Sequence, residues 1–279
     1  MATIGIFDSG VGGLSVFREI RKILPCEKYL YYADNAWCPY GEKEPQFIFE
    51  RAREITLQLA SQGADIIVVA CNTATAAAIA SLRSEFSLPS DSLRSATFGR
   101  IDRIRFIGME PAVKPAALGT RSGVIGVLAT AGTLAGSKYL TTKGLYEDNI
   151  RIEEHVGSGF VELVENRELS GPHAEEVVRA SLQPLLDAGA DTIVLGCTHY
   201  PFLIDTIRKV ADSITAPQGR EPVRIIDPAP AVARQLLKVL DEEHIPHKEV
   251  PSAGTAEGTG VVLMSSGPSE SLRALFSIL

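Results

Sequence analysis

Gly63-Ala-Asp-Ile-Ile-Val-Val-Ala-Cys71-Asn72-Thr73-Ala-Thr75-Ala76 decides the fold, because a near copy returns as Gly189-Ala-Asp-Thr-Ile-Val-Leu-Gly-Cys197-Thr198-His199-Tyr200-Pro201. In each copy an unbroken aliphatic run ends in a cysteine and gives way to helix-forming residues. Runs that are apolar on both faces mark strands inside a parallel sheet. Each cysteine is therefore expected at the carboxyl end of a buried strand, on the turn into a helix. Open α/β sheets bind ligands there, and the unpaired N–H groups and partial positive charge of the helix favour anions and thiolates. A thiol that closes an apolar strand is commonly an inert core residue. The repetition is what sets this pair apart. Cysteine enzymes generally use one thiol beside a histidine, or two as Cys-x-x-Cys, whereas these two lie far apart in sequence at matching positions.

Working outward, Ile4-Gly-Ile-Phe7 reads as a strand, Asp8-Ser9-Gly10-Val11-Gly12-Gly13 as a tight turn and Leu14 to Leu24 as a helix. Asp8 and Ser9 then stand at a strand's carboxyl end, placed to meet a ligand or to cap the helix. The glycines match neither the dinucleotide fingerprint nor the phosphate-loop pattern with its lysine. A second strand, Lys28 to Ala33, leads into Asp34-Asn-Ala-Trp-Cys38-Pro39-Tyr40-Gly41, a binding loop or an ordinary turn. A helix from about Phe47 to Gln62 precedes the Cys71 strand, and a helix over Thr73 to Phe86 follows it. Leu88 to Arg105 lacks periodicity and reads as a surface loop or linker. Strand Phe106 to Met109 and a helix over Ala112 to Leu118 follow.

The opening of the chain is then echoed. Ile4-Gly-Ile-Phe-Asp8-Ser9 aligns with Ile125-Gly-Val-Leu-Ala129-Thr130, in the same order before its cysteine copy, which signals duplication of one α/β module. The second copy continues through a helix over Leu134 to Tyr146, strand Arg151 to Val156, helices around Phe160 to Asn166 and His173 to Ala188, and a helix Tyr200 to Ala211. The tail offers strands at Val223–Ile226 and Gly260–Met264 and helices at Ala229–Glu243 and from Ser269, but no third thiol copy. The expected fold is two similar parallel-sheet α/β domains related by duplication, with the active site in the cleft between them. Residues 1–110 plus 212–279 would form a discontinuous first domain and 111–211 the second.

Composition narrows the function classes. The 279 residues are 45% hydrophobic and 22% charged, enough for a large core. A formal charge of −7, from 27 basic and 34 acidic residues without a basic cluster, argues against nucleic acid and acidic membranes as partners. The longest apolar runs are strand-sized, so no membrane span is expected. Cys26, Cys38, Cys71 and Cys197 show no metal or disulfide spacing and no leader is legible, so neither a metal site nor an oxidising compartment is expected, and the cytoplasm fits.

Asp8-Ser9-Gly-Val-Gly-Gly-Leu14, Pro39-Tyr40-Gly41, Ala70-Cys71-Asn72-Thr73-Ala74 and Gly196-Cys197-Thr198-His199-Tyr-Pro201, in this order and spacing, resemble the motifs of the glutamate racemases, within the cofactor-independent Asp/Glu racemase family. The resemblance covers essentially the whole chain. It implies an isomerase that interconverts L- and D-glutamate without a cofactor and supplies D-glutamate for peptidoglycan. Cys71 and Cys197 would be the catalytic thiols, with Asp8 supporting the first and His199 the second. Asp8, Ser9, Pro39, Tyr40, Gly41, Asn72, Thr73 and Thr198 would hold the amino acid, and Glu165 falls where the family often has an acidic residue near the pocket. The partner would be a small molecule, with no nucleic acid and no membrane, and the chain is expected to pair as a homodimer. Cys38 and the Leu88–Arg105 segment depart from the pattern without touching its catalytic motifs.

The chemistry agrees with that reading. Inverting an α-carbon means removing a weakly acidic hydrogen from one face and delivering one to the other, so a base and an acid must flank it. Two thiols supply both. Asp8 poses a puzzle, since an anion beside a thiol disfavours thiolate; it either relays the proton or pairs with the substrate ammonium. The motifs hold no Arg or Lys, so substrate carboxylates would fall to backbone N–H groups and to Ser9, Asn72, Thr73 and Thr198. Three rivals stay open: a sibling two-thiol isomerase for aspartate, a hydantoin or a related diacid; a non-catalytic amino-acid-binding protein; and a flavodoxin-like nucleotide binder. Retention of both thiols argues against the second, and the absent phosphate motif against the third.

Overall fold

The aliphatic runs do form strands. The computed structural model describes residues 1–248 and 260–279. Among these are β1 (Thr3–Asp8), β2 (Lys28–Ala33), β3 (Ile66–Val69), β4 (Arg105–Ile107), β5 (Val124–Ala129), β6 (Arg151–Val156), β7 (Thr192–Gly196), β8 (Arg224–Ile226) and β9 (Val261–Ser265). They build two sheets, ordered β4-β3-β1-β2-β9 and β6-β5-β7-β8, and every pairing is parallel. β3 and β7 are buried along their whole length. Strands covered on both faces gain from being apolar at every position, which is why these runs do not alternate.

The chain divides into two compact units, Met1–Met109 with Ala229–Leu279, and Glu110–Pro228. Their registers repeat. Ile4 lies opposite Ile66 and Ile125 opposite Thr192; Thr3 faces Lys28 and Val124 faces Arg151; Ile66 faces Arg105 and Thr192 faces Arg224. The four strands β4-β3-β1-β2 and β8-β7-β5-β6 are thus one pairing scheme used twice, and β9 is an addition beside β2. Glu110 and residues 212–228, expected in the first domain, lie in the second unit. For 212–228 the reason is β8, whose Arg224–Ile226 pairs with Thr192–Val194 as the fourth strand of that sheet.

Two further expectations change. Leu88–Arg105 is not a structureless linker: it carries a helix, Asp91–Ala96, capped by Ser90 Oγ, which accepts the Leu93 N–H at 3.5 Å. Leu93 is fully buried, and Thr97 Oγ1 donates to the Leu93 carbonyl at 2.7 Å. Hydroxyl groups organise this segment, which is why hydrophobic periodicity does not reveal it. The helix expected over Leu134 to Tyr146 is two pieces, Ala131–Leu134 and Ser137–Gly144, parted at Gly136.

The helices that deliver the chain to the thiol strands end alike. Gly63 (φ 108°) and Gly189 (φ 96°) take the left-handed conformation that a side chain would oppose. Their N–H groups return to the carbonyls of Ala60 and Leu186, and those of Ala64 and Ala190 to Leu59 and Leu185. An arginine then covers each end: Arg100 Nη2 donates to the Ala60 carbonyl at 2.8 Å, and Arg220 donates to Leu186 and Ala190, both at 2.7 Å. An aspartate follows in each copy. Asp65 accepts the Thr3 N–H at 2.8 Å, and Asp191 accepts the N–H groups of Arg121 and Ser122 at 2.6 and 2.7 Å and the Thr120 hydroxyl at 2.8 Å.

Burial alone would raise the Asp191 pKa, but the Ser122 and Arg121 amides and the Thr120 and Thr192 hydroxyls bring it below the ordinary carboxylate value. A depressed carboxylate stabilises the fold above the unfolded-state pKa, and that contribution is lost as the pH falls through the folded-state pKa. Asp191→Asn is expected to cost about 1–3 kcal/mol at pH 7 and to flatten the acid limb of the stability curve. Denaturant titrations at pH 7 and pH 3 check both. A variant whose deficit is the same at the two pH values would remove the assignment.

Candidate active site

In the first unit, β1 ends at Asp8 and β3 at Val69, side by side in the sheet. Beyond β3, Cys71 is the N-cap of the helix Asn72–Phe86, in extended conformation, and its sulfur accepts the Ala74 N–H at 3.4 Å. The sulfur therefore sits where unpaired amides and the helix dipole favour negative charge. Ser9 Oγ lies 3.7 Å from Cys71 Sγ and 3.5 Å from Asp8 Oδ1, while Asp8 Oδ2 accepts the Gly13 N–H at 2.7 Å. Asp8 thus braces the glycine turn and is linked to the thiol through the Ser9 hydroxyl. Gly13 is required there, because a Cβ on it would come within 2.8 Å of Asp8 Cβ and of the Tyr31 hydroxyl.

Asn72 and Thr73 open the helix and are buried. Neither amide atom of the Asn72 side chain meets a protein partner among the described residues. Buried polar groups are nearly always satisfied, so this amide is suited to a polar ligand. Pro39, Tyr40 and Gly41 form a turn after a cis Cys38–Pro39 bond. The Tyr40 phenol faces inward onto Asp34. Burial, and next Asp34, hold that phenol far above its usual pKa, so it stays a neutral donor. What the turn can offer a ligand is consequently its backbone.

In the second unit β7 ends at Gly196, and Cys197 follows at the position matching Cys71. Its continuation differs from the first copy. A 3₁₀ turn, Tyr200–Leu203, comes next, and the helix starts only at Ile204 and runs to Thr215. Pro201 has no N–H to offer a helix that would begin at Cys197. The expected helix Tyr200–Ala211 is corrected accordingly, and Cys197 has a side chain where Cys71 has a helix. His199 Nδ1 lies 3.8 Å from Cys197 Sγ, and its Nε2 lies 2.8 Å from Glu165 Oε1. A carboxylate only accepts, so Nε2 carries the hydrogen and Nδ1 turns toward the thiol. Glu165 ends the helix Phe160–Glu165, which begins at Gly159 in the left-handed region. Thr198 and His199 are both buried. Tyr200 packs edge-on against Phe160, with ring centroids 4.9 Å apart. Burial, and next the neighbouring Cys197, keep its phenol neutral.

The sequence-derived residues thus gather into two half-sites: Asp8, Ser9, Cys71, Asn72 and Thr73 in one unit, Glu165, Cys197, Thr198 and His199 in the other. Cys26 and Cys38 are half-buried, and neither directly follows a strand of the repeat. Two residues that no motif singled out join the first half-site: Arg51, on the helix Pro45–Ser61, donates from Nη2 to Asp34 Oδ1 at 2.8 Å. Asp34 directly follows β2, whose Ala33 pairs with Asp8, and that adjacency is the signal that could have exposed it. No helix among the described residues is long and apolar enough to cross a membrane.

Comparison with known proteins bears on this geometry. The family model for Asp/Glu/Hydantoin racemases matches residues 4–236. A glutamate racemase of Ectopseudomonas mendocina (strain ymp) is 42% identical over 279 residues, 100% of this chain and 94% of its own. One of Roseiflexus sp. (strain RS-1) is 44% identical over 239 residues, 86% and 79% of the two chains. Among solved structures, Escherichia coli glutamate racemase in complex with L-glutamate and the activator UDP-MurNAc-ala superposes with a TM-score of 0.78 at 32% identity, covering 99% of this chain and 94% of that one. Francisella tularensis glutamate racemase in complex with D-glutamate gives 0.73 at 26% identity, over 99% and 92%.

Proposed function

The chain belongs to the Asp/Glu/Hydantoin racemase family, and within it we propose that this protein interconverts L- and D-glutamate by proton transfer at the α-carbon. The observation that carries the reading is the matched placement of Cys71 and Cys197, each just beyond the corresponding strand of a repeated sheet and each with its own acid–base partner. One thiol removes the α-hydrogen as a thiolate, and the other, protonated, delivers a hydrogen to the opposite face. Ser9, with Asp8 behind it, connects the first sulfur to a proton acceptor, and His199 takes or returns the proton of the second. Glu165 fixes the tautomer that lets it do so.

Substrate carboxylates are met by the amides opening the Asn72 helix and by the polar groups of Ser9, Asn72, Thr73 and Thr198, with backbone of Pro39, Tyr40 and Gly41. Hydrogen-bond donors aimed at a carboxylate also stabilise the charge that spreads into it when the α-hydrogen leaves. No cofactor enters these steps. Incubating the purified protein with L-glutamate and no added cofactor, then resolving enantiomers, is expected to give an equal mixture. L-glutamate that stays enantiopure would end the reading.

The same reading has a cytoplasmic homodimer supplying D-glutamate for peptidoglycan. A sedimentation mass of a single 29.9 kDa chain would remove the dimer. Growth of cells lacking the protein that D-glutamate fails to restore would remove the cell-wall role.

A further inference from the structure

The Pro39-Tyr40-Gly41 turn has one large side chain, and that side chain is spent on the interior. Tyr40 is 1% exposed and belongs to the same core cluster as Cys71. Its phenol donates to Asp34, itself fully buried. A buried carboxylate is costly unless it is paired. The partner comes from the helix Pro45–Ser61, where Arg51 Nε donates to Oδ2 at 3.0 Å and Nη2 to Oδ1 at 2.8 Å. This two-pronged fork fixes the plane of the carboxylate as well as its charge. The Asp34 N–H also donates to the Asp8 carbonyl at 2.9 Å, tying the same residue to the strand end that carries Asp8 and Ser9. Arg51 Nη1 meets Glu54 at the surface.

We infer that Arg51 is a positioning residue for the reaction proposed above: it is the counter-charge of Asp34, Asp34 holds the Tyr40 phenol, and the anchored ring sets the Pro39–Gly41 backbone beside Cys71. The inference rests on the racemase reading only for what the turn serves. The chain of contacts from Arg51 to Tyr40 stands on its own geometry. Because the turn binds substrate and moves no proton, the loss belongs in KM.

Steady-state racemisation of L-glutamate by Arg51→Ala, Arg51→Lys, Tyr40→Phe and the double variant Arg51→Ala/Tyr40→Phe tests this. Arg51→Ala is expected to raise KM about tenfold, the scale of a charge-assisted bond, with kcat within about threefold. Arg51→Lys restores the charge without the fork and should fall between Arg51→Ala and wild type. Because Arg51 acts through Tyr40, adding Arg51→Ala to Tyr40→Phe should cost less than about twofold more. Additive losses in the double variant would overturn the inference, as would an unchanged KM in folded Arg51→Ala. Should Arg51→Ala not fold, the cycle runs with Arg51→Lys and is judged the same way. The ¹³Cζ resonance of Tyr40, assigned by its loss in Tyr40→Phe, provides a reading independent of turnover. It should shift in the Arg51 variants, and an unmoved resonance would refute the anchor. A wild-type chain that turns over no glutamate would strike the racemase reading instead, while the resonance still decides the Arg51–Asp34–Tyr40 linkage.

Discussion

Cys71→Ser and Cys197→Ser are each expected to lower racemisation by at least about 10³-fold, within the range that general acid–base groups contribute, while the chain stays folded. A hydroxyl is a far weaker acid than a thiol, whose ordinary pKa is about 8.5. At neutral pH serine supplies neither the base nor a ready proton. The fold should survive at residue 71 because serine is itself a favoured N-cap, and its oxygen can take over the Ala74 N–H that the sulfur now accepts. Both directions must fall together, since the two enantiomers have an equilibrium constant of one and kcat/KM cannot change in one direction only. Exchange separates the two variants. Each keeps one thiol, so each should still exchange the α-hydrogen of one enantiomer with solvent, and the two variants should retain opposite ones. Near-wild-type turnover in either folded variant would sink the two-thiol assignment.

His199→Asn should be the next most damaging change, by about 10²-fold or more, as expected for a positioned acid–base group. The imidazole bridges Cys197 and Glu165 at 3.8 and 2.8 Å, and asparagine reaches neither with the same chemistry. Glu165→Gln, which leaves the imidazole but no longer dictates its tautomer, should cost about tenfold, the scale of losing one hydrogen bond to a charged group. Equal loss of kcat/KM in the two directions follows from the equilibrium constant and decides nothing. The informative quantity is the α-deuterium isotope effect in each direction. Slowing the Cys197 step alone should change the two effects unequally, and Asp8→Asn should shift the balance the other way. Isotope effects that match wild type in both variants would count against separate duties for Asp8 and His199.

The two half-sites were legible in the sequence to different depths. Cys71 and Cys197 could be placed because strands buried on both faces read as near-continuous aliphatic runs, so β3 and β7 announce themselves and the cysteines follow them. Asn72 and His199 then follow by adjacency in the chain, whereas Asp8 and Ser9 are marked by closing β1 and by the resemblance. What stayed hidden depends on contacts distant in sequence. β8 is three residues long, with one exposed and two half-buried, and only its pairing with β7 assigns residues 212–228 to the second unit. The Asp91–Ala96 helix is held by hydroxyls rather than by a hydrophobic stripe. Glu165 could be named from a resemblance, but its bond to His199 joins residues far apart in the chain, as does the fork from Arg51 to Asp34. The inward-facing Tyr40 phenol belongs to the same class: the motif marks the turn, and only packing shows which of its atoms remain for a ligand.

In the proposed reaction two thiols act, one on each face of the α-carbon. The hydrogen removed then remains on the first sulfur while the carbon is reprotonated from the second, which has equilibrated with solvent. If L-glutamate is turned over briefly in deuterated water, product D-glutamate should carry deuterium at the α-carbon, while recovered L-glutamate stays largely protiated, because return from the first thiol competes with exchange. Starting from D-glutamate should give the mirror result. A single group reaching both faces would hand back much of the original hydrogen, so substantial protium in the earliest product would contradict the roles given to Cys71 and Cys197.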